Sequence, residues 1–356
     1  MQGELVMNTR NNQQGIALLV MVFVLVLATL AYTVGLLNSN NIMNENNKKT
    51  ALVLAEAKTS LLGYAVLHAS KPGTLPCPDT DNNGTANPSG PNCTSYISRL
   101  PWKTLGTDKF KDASNECLWY AVSPNFRNPI TLAQRATSPL NGATVGSITV
   151  VDDNNTSIGV NPVVAVIIAP NYPVGGQARS GTPTLYCPGD SLAAKYLDIK
   201  GLVNNATGNN SGVNYTFKKG AQSISFNDKL IYITAAEFFP QLRKRITKEI
   251  VGKVGMPSGL FKYFQTAATL NTYPCPAKSI TGDADCAPPL GNNIPYNDSA
   301  SLSPLQYTSL GSWLINNGWF PMTAYNYISA THVTVTVTDP FGSYTCDVNM
   351  NVVNCA

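Results

Sequence analysis

The stretch NNQQGIALLVMVFVLVLATLAYTVGLL occupies residues 11–37, and its reading decides how the rest of the chain is understood. Ile16 to Leu37 carries no charge. As a helix this run is roughly 33 Å long, enough to cross a hydrocarbon core of about 30 Å. A cleaved secretory signal has an apolar core of only about 7–15 residues. Ala28 and Ala31 imitate its exit site, but the run continues past them through Tyr32, Val34, Gly35 and Leu37. A retained membrane anchor is therefore expected. The pattern continues beyond it. In NNKKTALVLAEAKTSLLGYAVLHA (46–69), Ala51, Leu54, Ala55, Leu61, Leu62 and Ala65 recur near helical spacing, with Lys48, Lys49, Glu56 and Lys58 between them. One helix, or two joined at the Asn-rich NSNNIMNENN (38–47), is expected over 16–68. Its first half is apolar all round and its second half amphipathic.

The front edge of the run is abrupt. A polar leader containing Arg10 ends in QQG (13–15), and IALLV (16–20) follows at once. Together with the uncharged helix and its amphipathic continuation, this resembles the type IV pilin and type II secretion pseudopilin superfamily. The resemblance implies cleavage by a prepilin peptidase after Gly15, a mature N-terminus at Ile16, and N-methylation there. It also implies an inner-membrane anchor with the body in the periplasm or on a surface filament, and other pilins or pseudopilins as partners through the helix. Two positions depart from the family: Ile16 replaces the usual Phe, and Val20 replaces the usual fifth-position Glu. The K-type minor pseudopilins, which this chain resembles in size and in an apolar residue at that place, sit at filament tips. An unpaired carboxylate in lipid costs at least about 2.5–3.5 kcal/mol, which a top subunit avoids by having none. The order AEAKTSLLGYA, LPCPDTDNNG, LPWKTLG, LWYAVSP, VIIAP, GQAR, NDKLIYIT extends the likeness to prepilin-like proteins over roughly 16–250. The function implied is a minor pilin or pseudopilin, a structural subunit at or near a tip. The alternative is a membrane-tethered binding module or adhesin outside any filament.

Composition fits an exported body. Only 12% of residues are charged and the formal net charge is +4, so no basic face for nucleic acid is expected. The most basic stretch, LRKRITKEI (242–250), spaces Leu242, Ile246 and Ile250 by four and reads as one solvated face of a helix. The eight cysteines, Cys77, Cys93, Cys117, Cys187, Cys275, Cys286, Cys346 and Cys355, all follow the apolar run and contain no CxxC pair. With only two histidines, disulfides in an oxidising compartment are favoured over metal ligation. Connectivity does not follow from sequence. Short loops suggest 77–93, 275–286 and 346–355, leaving 117 with 187.

The fold class expected is α+β: a long N-terminal helix followed by a β-rich, loop-rich, disulfide-stapled body. The divisions are a leader (1–15), the helix (16–68), a β-rich domain (69–234) and a helix-plus-β subdomain (235–356). Strands are expected at 147–152, 163–170, 229–234 and 332–339, the last with Val333, Val335 and Val337 on one face. Helices are expected at 235–252, with Pro240 in its first turn, and at 258–269. A theme recurs: Pro-Cys-Pro, a polar loop, a second Cys, then a Tyr-rich strand, once from 74 and again from 272.

Two chemical motifs stand out. DTDNNG (79–84) fits the start of a calcium loop, with Asp79, Asp81 and Asn83 supplying side-chain oxygens and Thr85 its carbonyl. Position twelve is Gly90 in place of a bidentate Glu, so Asp152 or Asp153 would have to complete the shell. The competing reading is an Asx-rich turn closed by a disulfide. GDSL (189–192) resembles a serine-esterase motif, which needs a histidine to take the proton of Ser191. His332 has Ser329 where that family has Asp, and His68 lies just past the helix. No enzymatic activity is expected.

Overall fold

The computed structural model describes residues 10–158, 163–179, 187, 189, 191–252, 258–266, 271–280, 282–295, 308 and 310–356, without the side chains of 10–20 and 30–40. The chain divides into two compact units, Met1–Ala51 and Leu52–Ala356. Helix α1 (Arg10–Leu67) is continuous through the Asn-rich 38–47, so no joint interrupts the backbone there. Most of the apolar run Ile16–Leu37, including Ile16 and Val20, lies outside the described side chains, as does Gly15 before it. Within it, Met21 to Leu27 are all exposed, at 49–66% of their surface. By length and composition Asn41–Leu67 also suffices to cross a membrane. Yet Leu54, Ala57, Leu61 and Ala65 lie buried in the core of the second unit. That stretch is thus also the core helix of the body.

The body is mixed helix and sheet. A small hairpin, β1 (Pro88–Ser89) with β2 (Asn92–Cys93), precedes β3 (Ile97–Arg99) and β4 (Trp119–Val122). A short helix, α2 (Leu132–Arg135), leads to β5 (Ile148–Val151) and β6 (Val163–Ala169). After the hairpin β7 (Ile199–Lys200) and β8 (Val203–Asn204) come β9 (Tyr215–Lys218) and β10 (Lys229–Thr234). The first large sheet runs β3-β4-β6-β5-β9, with β10 also paired to β6. Among the described strands only β5 and β9 pair in parallel. Every residue of β6 is buried, as its uninterrupted VVAVIIA requires of a strand covered on both faces. Val164, Ala165, Ile167 and Ala169 belong to the core that α1 and α3 also enter, and Val163, Val166 and Ile168 to the one with Trp119, Tyr196, Phe217 and Leu230.

Helix α3 (Ala235–Val251) starts at a capping box. Glu237 N donates to Thr234 Oγ1 at 3.2 Å, and Thr234 N donates to Glu237 Oε2 at 3.0 Å. Pro240 is therefore the sixth residue of the helix, one turn deeper than the sequence suggests. The cap at Thr234 fixes the start, and burial of Phe238, Phe239, Leu242, Ile246 and Ile250 holds the helix despite the missing backbone donor. α4 (Gly259–Phe264) and α5 (Gly311–Asn316) follow. A second sheet, β11 (Thr323–Ser329), β12 (His332–Asp339), β13 (Gly342–Asn349) and β14 (Val352–Cys355), is an antiparallel meander in that order. Val333, Val335 and Val337 of β12 are wholly buried on its inner face. The division expected at 234/235 falls between β10 and α3, inside one compact unit, because α3 packs on both sheets.

The basic run of α3 is not solvated throughout. Lys244 and Lys248 are exposed, but Arg243 is buried and pairs with Asp339 at the end of β12, whose carboxylate is fully covered. Asp339 Oδ1 also accepts from Phe341 N at 2.8 Å.

Four disulfides staple the body: Cys77–Cys93, Cys117–Cys187, Cys275–Cys286 and Cys346–Cys355, with Cα separations of 5.3, 5.9, 5.2 and 4.1 Å. The last joins directly opposed residues of β13 and β14. The two Pro-Cys-Pro segments are held alike. The residue before each donates to a later carbonyl, Leu75 N to Phe126 O and Tyr273 N to Ala330 O, both at 2.7 Å. The first proline carbonyl of each accepts from a buried tyrosine, Pro76 O from Tyr120 at 3.3 Å and Pro274 O from Tyr325 at 2.9 Å. Tyr120 lies on β4 and Tyr325 on β11, each on a strand C-terminal to its loop.

Removing one partner of a buried ion pair strands the other. Asp339→Ala is expected to lower the unfolding free energy by about 3–5 kcal/mol. The double variant Arg243→Met, Asp339→Ala should recover part of that loss. Chemical denaturation of the detergent-solubilised chain measures both, and a double variant no more stable than Asp339→Ala would refute the assignment.

Candidate functional sites: an acidic loop and an apolar helix

The acidic loop hangs between the Cys77–Cys93 bridge and the edge strand β3. Backbone bonds join Asp79 and Arg99 in both directions, at 2.9 and 3.1 Å. This places the Asp79 side chain inside, at 1% exposure, while Asp81 points outward. Asp79 Oδ2 accepts from Gly84 N at 2.6 Å and Oδ1 from Asn83 N at 3.3 Å. Asp81 Oδ1 accepts from Asn83 N at 3.3 Å, and Asp81 Oδ2 from Asn83 Nδ2 at 2.7 Å. Asn83 Oδ1 accepts from Thr85 N at 2.7 Å and from the Thr85 hydroxyl. Each side chain so caps an amide two to five residues on, a ladder of Asx turns. Gly84 has φ +87, and a Cβ there would stand 2.5 Å from the Trp102 ring, so only glycine fits. Asn82, at φ 61, turns inward and donates to the carbonyls of Cys187 and Gly189 at 2.9 and 3.2 Å.

The other oxygens that a calcium shell would need are engaged elsewhere. Asp152 Oδ1 accepts from Asn154 N and Thr156 N, each at 2.9 Å. Asp153 pairs with Lys200 at 2.5 Å and accepts from Ala221 N at 2.9 Å. Gly90 is exposed. Among the described residues no cluster of three or more His, Cys, Asp or Glu side chains has metal-holding geometry. The loop does bring two carboxyls into hydrogen-bonding proximity. Burial, with the Asp81 carboxylate added, pushes Asp79 up to about 6, against the pull of the Gly84 and Asn83 amides.

Ser191 makes no described contact with a histidine. His332 Nε2 lies 3.1 Å from Asp347, on the second sheet, and His68 Nε2 lies 2.9 Å from Asn128 Nδ2. Burial lowers the His68 pKa, aided by Lys71.

Sequence reading left unexplained a polar cluster built from GQAR, LDIK and NDKL. Gln177 Nε2 donates to Asp198 Oδ1 at 2.7 Å, and Asn227 N and Asp228 N donate to Asp198 Oδ2 at 2.6 and 3.1 Å. Asp228 Oδ2 in turn accepts from Asp198 N and Asn205 Nδ2 at 2.8 and 2.9 Å. Arg179 donates to the carbonyls of Asn171, Pro170 and Tyr196. Burial, and the neighbouring Asp198, drive Asp228 well above the usual carboxylate range. Repeated Asp beside apolar strand residues was the only signal, and it does not say that the two acids meet. The cluster ties the loops together and opens onto no cavity among those described.

The second site is the surface of α1 itself. Met21, Val22, Phe23, Val24, Leu25, Val26 and Leu27 cover nearly two turns with no polar side chain and no protein contact that shields them. A helix apolar on every side belongs in lipid or among other helices.

Comparison with protein-family models, with characterised proteins and with solved structures finds no match to this chain.

Asp79 has a raised pKa in the folded state. The stability it contributes is full below the unfolded value of about 4 and is lost as pH rises through about 6. In chelator, unfolding free energy should therefore fall across that window, and Asp79→Asn should flatten the fall. Calcium added at neutral pH should restore stability if the loop oxygens bind it. Equal melting temperatures in calcium and in chelator would leave the Asx turn alone.

Proposed function

We propose that this chain is a minor pilin-like or pseudopilin-like subunit, anchored by its N-terminal helix, with a disulfide-stapled body outside the cytoplasm. The single observation that carries the reading is the helix α1, apolar and exposed all round at Met21–Leu27 and buried along one stripe, Leu54, Ala57, Leu61 and Ala65, in the body. Such a helix needs an apolar environment at one end and a folded domain at the other. Four disulfides support an oxidising compartment for the domain. The leader, Gly15 and Ile16 supply the processing site, and Val20 favours a tip position, where no neighbour above could neutralise a carboxylate. A large body is compatible with a tip, where lateral packing sets no limit on its width.

The competing reading is a tethered binding module that never enters a filament. Three measurements separate them. N-terminal sequencing of membrane-extracted protein should begin at Ile16; a start near Tyr32, or an intact Met1 beside an active prepilin peptidase, refutes processing. Sheared surface fractions should contain the chain together with other pilins. Immunogold label should lie at filament ends: regular label along the shaft refutes the tip position, and unlabelled filaments favour the tethered module.

A further inference from the structure

Four exposed aliphatic side chains of the body lie on three consecutive loops. Ile224 and Leu202 are exposed to 94% and 87%, more than any other large apolar residue described. Val213 is 64% exposed and Ile199 58%. Leu202 sits at the tip of the β7–β8 hairpin, Val213 in the turn bridged by Ser211 and Asn214, and Ile224 in the turn bridged by Ser223 and Phe226. The loops are tied to one another. Asn209 Nδ2 donates to Leu202 O at 2.5 Å and Asn204 N donates to Asn209 Oδ1 at 2.9 Å, joining the first loop to the second. Lys200 Nζ donates to Ala221 O at 2.7 Å and lies 5.1 Å from the Phe226 ring centre, joining the first to the third.

Lysines outnumber acids around these tips. Residues 191–226 contain Lys195, Lys200, Lys218 and Lys219 against a single acid, Asp198. Asp198 is buried beneath the tips, in the cluster with Gln177 and Asp228, and Lys218 is buried too. The remaining three lysines reach the surface, where Asp153 from the neighbouring turn meets Lys200.

We propose that these loops form a surface that inserts into an anionic lipid bilayer. Isolated aliphatic residues on the ends of tight turns match no shaped protein pocket, but they enter a fluid headgroup region without needing one. Lysines set beside them meet the lipid phosphates and the negative surface potential. A second copy of the chain is disfavoured, because it would bring the same lysines face to face. The inference is independent of filament assembly: it concerns the body, and holds for a tethered module equally.

The test uses the full chain, its anchor housed in a nanodisc of phosphatidylcholine, mixed with vesicles of phosphatidylcholine alone or containing phosphatidylglycerol. The expected result is co-flotation with the phosphatidylglycerol vesicles and at least about ten-fold weaker binding to the neutral ones. Leu202→Ser with Ile224→Ser should weaken binding by about ten-fold or more, since burying one such side chain is worth that much. Both residues are solvent-exposed, so the melting temperature should not change. Lys219→Glu should weaken binding to the anionic vesicles and leave the neutral ones unaffected. Failure of the wild-type chain to float, equal binding to both vesicles, or unaltered binding by the double serine variant would each overturn the proposal.

Discussion

The body depends on one helix being shared by two sheets. α3 buries Phe238, Phe239, Leu242, Ile246 and Ile250 along one stripe, and it packs on β6 and β10 of the first sheet and on β12 and β13 of the second. Phe239 stacks on Phe341, with ring centres 5.8 Å apart, and meets Phe126 at 6.0 Å on the other side. The core common to the two sheets is built around this helix, while the first sheet keeps a separate core on its other face, around Trp119, Tyr196 and Phe217. At about 1.5–3 kcal/mol for each fully buried large side chain, the stripe accounts for a gross stabilisation comparable to the net stability of a whole domain. That is why a body divisible on paper at residue 234 forms one compact unit, Leu52–Ala356. The Arg243–Asp339 pair then fixes the register between helix and second sheet, since a displaced helix would leave both charges buried and alone.

The paired Pro-Cys-Pro segments show how a loop-rich body reaches order with few charges. In each, a proline holds the backbone extended, a disulfide closes a short loop, and a buried tyrosine hydroxyl takes up the proline carbonyl. Constraining the unfolded chain with loops of this length contributes about 2–4 kcal/mol per bridge. The repetition is structural and does not extend to the loop contents. The first loop carries the Asx ladder against Trp102, whereas the second, AKSITGDAD, pairs Lys278 with Asp285 at 2.7 Å.

Legibility in the sequence followed the strength of the local signal. Strands β6 and β12 were readable because an unbroken apolar run and a strict Val alternation each admit few other structures. β11 was legible only as the Tyr-rich strand of the recurring theme, and β13 and β14 were not legible, since Ser343, Asp347 and Asn354 interrupt their patterns and only cross-strand pairing orders them. The start of α3 at residue 235 was legible, but Pro240, placed in the first turn, is the sixth residue of the helix. At the acidic loop the spacing of Asp79, Asp81 and Asn83 spoke for the turn. Nothing in that spacing tells which distant oxygens approach, and Asp152 and Asp153 prove to serve their own turn and Lys200. Arg243, 96 positions from Asp339, was read as a surface residue for the same reason: pairing across such a separation leaves no periodic trace.

The two halves of α1 answer to different solvents, and this constrains what the helix can do. From Leu54 to Ala65 small and large residues alternate on the inner stripe, Leu54, Ala57, Leu61, Ala65, so the helix lies close to the body while Glu56, Thr59 and Ser60 face away. Lys58 holds Glu237 at 2.6 Å, which also anchors the acid that caps α3. A partly exposed pair of this kind contributes little energy, and its effect is to orient the two helices. From Met21 to Leu27 there is no such asymmetry, since Met21, Phe23 and Leu25 are as exposed as Val22, Val24 and Val26. A one-sided stripe would commit the segment to a single protein groove. An all-round apolar surface commits it only to a medium, lipid or a bundle of like helices, and leaves its rotation about its own axis to be set by whatever packs against it.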